Sequence, residues 1–327
     1  MGRAPQRPSK NLEQPGAGLR GASGGYGKLC TAVLCVGLAW VLASGLLIRP
    51  GLLASQQRKD KPGKIKERSF DWAPPQVDTP LHDWSSSPPC EISRVLEQAG
   101  TQANALFDSL QSFSAREEIR YKASDHMGYA LDSQVGTFDY VVVFKQDAGG
   151  LSVQESRNPE HGSRLSPAFS QDVGFAGMAL VFLPEMRNDY EMRCEGTTER
   201  DGQPIWVVHF QQREDRPGRS LSFRGKDAVY PAKLKGRAWI SAESGEVRHI
   251  EMSLMDEIPE ALVRHWYLSI NYAPVEFRAQ HGRLWLPQTV DAYCDFEEYR
   301  TISYHTFTNF KRFLVQTGEV GNQPKTP

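Results

Sequence analysis

The sequence has no surplus of either charge: Lys and Arg total 38 against 39 Asp and Glu in 327 residues. Without a basic excess there is no electrostatic footprint for nucleic acid, and no such partner is expected. Metal-ligand spacing is missing too. His82, His126, His161, His209, His249, His265, His281 and His305 are scattered, with no H-x-x-x-H or C-x-x-C pair, so neither a metal site nor a cofactor is expected. No Gly-x-Ser-x-Gly elbow occurs, which removes sequence support for a serine hydrolase. The stretch Gly21–Lys28, GASGGYGK, fails the phosphate-loop pattern at Ala22 and Leu29 and follows no strand. Asp295, Glu297 and Glu298 offer paired carboxylates, but a solvated turn with Arg300 explains them better. No residue is assigned as catalytic, and the chain is not expected to be an enzyme.

Cysteine is scarce. Of five, Cys30 and Cys35 fall in an apolar run; Cys90, Cys194 and Cys294 remain, and their pairing is left open by spacing alone. Cys194 and Cys294 lack a nearby basic cluster of the kind that marks a nucleophile.

Long apolar runs are absent, with one exception. Leu29–Ile48, LCTAVLCVGLAWVLASGLLI, carries no charge. As a helix it would rise roughly 30 Å, about the hydrocarbon thickness of a bilayer. A cleaved signal peptide competes with an uncleaved anchor: Val41-Leu42-Ala43 could end the cleaved form, but the apolar run resumes at Leu46-Leu47-Ile48. The longer core favours an anchor, so a transmembrane helix at 29–48 is expected.

Around it the composition sets the organisation. Residues 1–28 read as a disordered basic tail and 49–89 as a linker, basic first and then rich in Pro. Residues 90–316 read as the folded domain and 317–327 as a disordered tail. Aromatics make up 10% of the chain, enough for a substantial core.

Periodicity divides the folded part. In Glu91–Leu110, Ile92, Val95, Leu96, Ala99, Ala103, Leu106, Phe107 and Leu110 recur at helical spacing. From Ala115 the period becomes two, first in Ala115–Lys122, then in Phe138–Phe144 and Leu151–Ser156. Asp172–Met186 interrupts with VGFAGMALVFLP, a short helix. Strands resume at Tyr190–Thr198 and Ile205–Gln212 around the turn Asp201-Gly202. Leu221–Arg224, Lys233–Ile240, Val247–Met255, His265–Tyr272, Leu284–Cys294 and Arg300–Val315 complete about ten antiparallel strands. Strands without alternating helices argue against a doubly wound parallel sheet. The expected fold class is mainly β (α+β): a large curved antiparallel sheet or incomplete β-barrel, lidded by one long and one short helix.

Three stretches carry a resemblance: Tyr190–Phe210, YEMRCEGTTERDGQPIWVVHF; Gly236–Glu251, GRAWISAESGEVRHIE; and Thr306–Phe313, TFTNFKRF. On these the region Glu91–Val315 resembles the outer-membrane lipoprotein-sorting superfamily and its uncharacterised bacterial envelope relatives. The resemblance implies a half-barrel holding a lipid or acyl chain under helices. It also implies export, and so an inner-membrane, single-pass protein with its main domain in the periplasm or outside the cell.

The aromatic residues Trp206, Phe210, Trp239, Trp266 and Tyr272 are the candidate ligand-binding set. Ile205–Gln212 is apolar on both faces, as a strand lining a cavity or covered on both sides would be. Alternation leaves open which face is concave. Expected partners are the membrane, through Leu29–Ile48, and a lipid or acyl chain. The alternative is a structural or interaction module of a cell-envelope complex, its interior filled by its own side chains and its partner an envelope protein. An empty apolar cavity under the helix would favour the binder; a solid core beside an exposed apolar patch would favour that alternative.

Overall fold

The computed structural model describes residues 68–81, 89–147, 150–163, 165, 174–218, 220–277 and 283–313. The expected tail 1–28, the apolar run Leu29–Ile48, most of the linker and the tail 317–327 lie outside the described residues. Among those described, no helix is long and apolar enough to cross a membrane. The expected transmembrane helix therefore has no support in the fold. The single-pass anchor, the membrane partnership through Leu29–Ile48 and the inner-membrane location likewise have no support among the described residues.

The long helix that is described, α1 (Ile92–Ser109), is amphipathic. Val95, Ala99 and Ala103 are buried on one stripe, while Arg94, Glu97, Asn104 and Asp108 face out. Its stripe is shallow because Ala side chains let the helix lie close to what it covers.

Twelve strands follow: β1 (Ser112–Ser124), β2 (Ala130–Asp147), β3 (Gly150–Pro159), β4 (Tyr190–Arg200), β5 (Gln203–Gln212), β6 (Ser222–Arg224), β7 (Val229–Pro231), β8 (Leu234–Ser241), β9 (Val247–Leu254), β10 (Val263–Glu276), β11 (Arg283–Phe296) and β12 (Arg300–Arg312). Ten of them form one antiparallel sheet in the order β3-β2-β1-β12-β11-β10-β9-β8-β5-β4. β6 and β7 pair separately as a small ribbon. Hairpins join most neighbours. At the β4–β5 turn Asp201 and Gly202 both take positive φ, 54° and 74°, which matches the twist of a two-residue hairpin.

As expected, the large antiparallel sheet is not closed into a barrel. β3 and β4 are its two edges and do not pair with each other. Two features hold the sheet open. The first and last strands pair centrally, Glu117 opposite Phe307 and Arg120 opposite Tyr304. The chain between β3 and β4 must then cross the sheet from one edge to the other. The described part of that crossing is a 3-10 helix, Met178–Phe182, followed by α2 (Pro184–Arg187). Phe175, Ala176 and Met178–Leu183 are all buried.

Strand parity sorts the two faces. One face is packed with α1 and the crossing segment: Phe113, Tyr140, Trp206, Val208, Phe210, Ile250, Leu268, Ile270 and Phe307 share a single core with Val95, Ala99 and Phe182. Gly236 matters here. Paired with Phe210, it leaves room for that ring; a β-carbon would collide with the ring and with the Glu251 carbonyl.

Residues 68–81 cross the other face. The Arg68 N–H donates to Tyr304 Oη at 2.9 Å, and Ser124 Oγ donates to the Phe70 carbonyl at 3.2 Å. Trp72 packs edge-on against Tyr267 and Tyr293, with centroids 6.2 and 5.9 Å apart. Val77 is buried, and Asp78 accepts from His209 at 2.9 Å and Lys235 at 2.6 Å. The Pro-rich segment is extended, yet it is laid on the sheet as a strap. This second cover explains why β5 is apolar on both faces: Ile205 and Val207 are buried opposite Trp206 and Val208.

Candidate functional site

The five candidate residues do not converge. Trp206, Phe210, Trp266 and Tyr272 belong to the helix-covered core. Trp239 lies on the strap-side face, its ring 4.6 Å from that of His249. Phe210 is wedged between Phe182 and Tyr190, at 6.5 and 5.8 Å. Arg94 of α1 lies over Trp206, 5.7 Å from its ring. The Tyr272 hydroxyl donates to the Phe175 carbonyl at 3.4 Å, and burial pushes its ionisation up.

Space between helices and sheet is small. A cavity of about 230 Å³ lies beside α1, bordered by Ala103, Leu106, Ala179, Tyr272, Leu284 and Trp285. Another, of about 250 Å³, lies between β3 and the crossing segment at Val153 and Met178. Ligand pockets generally run from about 300 to 1,000 Å³. Phe175, Ala176 and Met178–Leu183 are buried in the same core as the α1 stripe. The expected anchored lipid binder is corrected: among the described residues no spanning helix supports its anchor.

A buried polar cluster sits at the β3 end of the core. Glu117 of β1 receives Arg157 of β3 through two bonds, at 2.7 and 3.1 Å. Its Oε1 also meets His305 Nδ1 at 2.7 Å, and His305 Nε2 meets Ser303 Oγ at 2.9 Å. Burial pushes the Glu117 carboxyl up, but Arg157 and His305 outweigh it and hold the group below its usual range. Next to it Glu155 accepts the backbone N–H groups of Gly174 and Ala176, at 3.1 and 3.0 Å. Burial pushes Glu155 up, against the pull of Arg157 and these N–H groups. Phe175 is held between them, its ring 5.1 Å from the Arg157 guanidinium and 4.8 Å from His305.

The order Ser303–His305–Glu117 has the connectivity of a hydrolytic relay. Its setting is that of a core clamp. The Glu117 charge is committed to Arg157, and Ser303, His305 and Glu117 are all buried, so a substrate has no approach. Sequence reasoning passed over this cluster. A usable signal was parity: Glu117 falls on the same side of β1 as Phe113, Ala115, Ile119 and Tyr121, where a charge must find a buried partner.

The acidic run near the chain end is ion-paired. Asp295 lies 3.0 Å from His126 Nε2 and 3.7 Å from Arg300 Nε. Cys90, just before α1, is disulfide-bonded to Cys194 of β4, with Cα atoms 6.1 Å apart, and Cys294 is a buried thiol.

The unusual surface is at the β1–β2 end. Met127, Tyr129, Leu131 and Val135 are 80, 69, 60 and 53% exposed. Four large apolar side chains are exposed within nine residues, which the sequence reading did not single out. Nothing in their spacing tells exposed from buried, because exposure there depends on where β3 stops.

No family model matches the chain, and no curated protein matches it either. Among solved structures, an outer membrane lipoprotein-sorting protein domain from Vibrio parahaemolyticus is 14% identical with a TM-score of 0.39, over 71% of this chain and 96% of that one. A LolA superfamily protein from Nitrosomonas europaea is 13% identical with a TM-score of 0.33, over 69% and 96%. The chain thus has a distant structural similarity, at low identity and partial coverage, to the lipoprotein-sorting superfamily.

Proposed function

We propose that this domain is a non-enzymatic interaction module of a cell-envelope complex. The observation that carries the reading is the pairing of an interior whose cavities, about 230 and 250 Å³, fall below the usual ligand-pocket range with the exposed residues Met127, Tyr129, Leu131 and Val135. Buried apolar segments stabilise a fold; contiguous exposed ones cost solubility and mark a surface that another molecule covers. The Cys90–Cys194 disulfide fits an oxidising compartment.

A photo-crosslinking amino acid at Tyr129, in cells that make the protein, tests this. The expected result is one discrete protein adduct that Leu131→Asp abolishes and that the same probe at Tyr230 does not give. Absence of any protein adduct would overturn the reading. So would an acyl chain retained inside the purified domain.

A further inference from the structure

The exposed residues Leu131 and Val135 lie on a strand that has a partner on one side. β1 pairs along β2 from Ala130 to Val143, whereas β3 pairs with it from Phe138 to Asp147. Among the described residues, no strand pairs with the outer edge of Ala130–Thr137. From that outer side the Thr137 carbonyl accepts the Glu160 N–H at 2.9 Å. Backbone direction alternates along a strand, so the N–H and C=O groups of Val135, Ser133 and Leu131 point the same way; of these, the Ser133 N–H donates to its neighbour Asp132 Oδ1 at 2.7 Å.

The sheet's two terminal edges carry devices that discourage pairing. β3 turns Glu155 and Arg157 inward and ends at Pro159. β4 has a register shift at Cys194–Gly196, the disulfide, and charged Arg193, Glu195, Glu199 and Arg200. The half of β2 that no strand flanks on its outer side among the described residues is different. A register shift lies at its start, opposite Ala123 and Ser124, but Asp132–Thr137 has no shift, no Pro and no Lys or Arg. Its polarity is also symmetrical about Ser133: Leu131 and Val135 flank it at two residues, Asp132 and Gln134 at one.

We infer that this half-strand pairs with the same segment of a second copy, antiparallel about a two-fold axis at Ser133. The inference rests on the interaction-module reading and names the partner. In that register Ser133 faces its counterpart and Leu131 faces Val135; each of these pairs exchanges two backbone bonds, and at the axis the Ser133 N–H trades Asp132 Oδ1 for the partner's carbonyl. Within one chain the Gln134 amide already donates to Asp132 Oδ2 at 2.7 Å; across the axis Asp132 faces Gln134 rather than another carboxylate, so no like charges oppose each other. The interface is isologous and closes on itself.

Sedimentation velocity of the purified full chain over a wide concentration range tests it. A monomer–dimer equilibrium is expected, weakened by at least about tenfold by Val135→Lys, which places a cation opposite Leu131. Val229→Lys, at another exposed apolar site, leaves it unchanged. Ser133→Cys should give a covalent dimer on oxidation, since paired Cα atoms would lie about 5.5 Å apart. A circular dichroism melt of each variant checks that it folds. A chain that stays monomeric, or a dimer indifferent to Val135→Lys and not trapped by Ser133→Cys, overturns the inference. The Tyr129 adduct separates the two failures: a surviving adduct to a different protein leaves the module reading standing, and no adduct of any kind removes both.

Discussion

His305 and Glu117 meet at 2.7 Å, imidazole Nδ1 to carboxylate Oε1, with both side chains fully buried. They lie 188 residues apart in sequence and face each other only because the last strand pairs with the first. Arg157 completes the set from the edge strand β3, so the cluster ties three strands together through one carboxylate. Removing that carboxylate strands a buried guanidinium.

Glu117→Ala should cost about 3–5 kcal/mol, the range for leaving half of a buried ion pair. Glu117→Gln, which keeps the shape and one acceptor, should cost less. Urea unfolding of the two variants checks this. Equal and small losses would mean that Arg157 finds water when the carboxylate is gone.

Glu155 and Glu117 predict opposite pH dependences. Glu155 is raised by burial in the folded protein, so folding takes up a proton there. Its contribution is greatest below the unfolded carboxylate value and is lost as pH rises from that value through the folded one. Glu117 is net lowered; its contribution is present above the unfolded value and lost as pH falls through the folded one. Glu155→Gln should therefore gain stability relative to the parent as pH rises from about 4 to about 7. Urea midpoints measured across that window check the sign. Parallel curves would show that Glu155 does not titrate there.

The Cys90–Cys194 bond closes a separation of 104 residues and fastens the start of α1 to the edge strand β4. Replacing both cysteines by Ser should lower stability by about 2–4 kcal/mol. Guanidinium unfolding of the oxidised parent and the double variant measures it. A loss below about 0.5 kcal/mol would mean that the reduced chain already holds these elements together.

The elements themselves were legible. The helical recurrence in Glu91–Leu110 became α1 at Ile92–Ser109, and His265–Tyr272 lies inside β10. The hairpin at Asp201-Gly202 followed from turn chemistry. These signals are local: a few neighbouring residues fix the period and the turn. Asp172–Met186 was read as one short helix. Its described part is a 3-10 helix plus one turn of α-helix, because Gly174, Gly177 and Pro184 divide it. Near Val229–Pro231 the pattern was too short to signal a strand.

By itself the sequence determined the antiparallel β character, the leading helix and the residues that alternate in each strand, since those depend on contacts between near neighbours. Only the tertiary structure decided which strands meet. That choice put Trp239 on the face opposite Trp206 and Trp266, brought Glu117, Arg157 and His305 together, buried the crossing segment around Phe175–Leu183 in the core and laid residues 68–81 across the back. It also left Leu131 and Val135 exposed. Parity says which side chains share a face, but what covers a face depends on segments far away in the chain, and no local pattern records them.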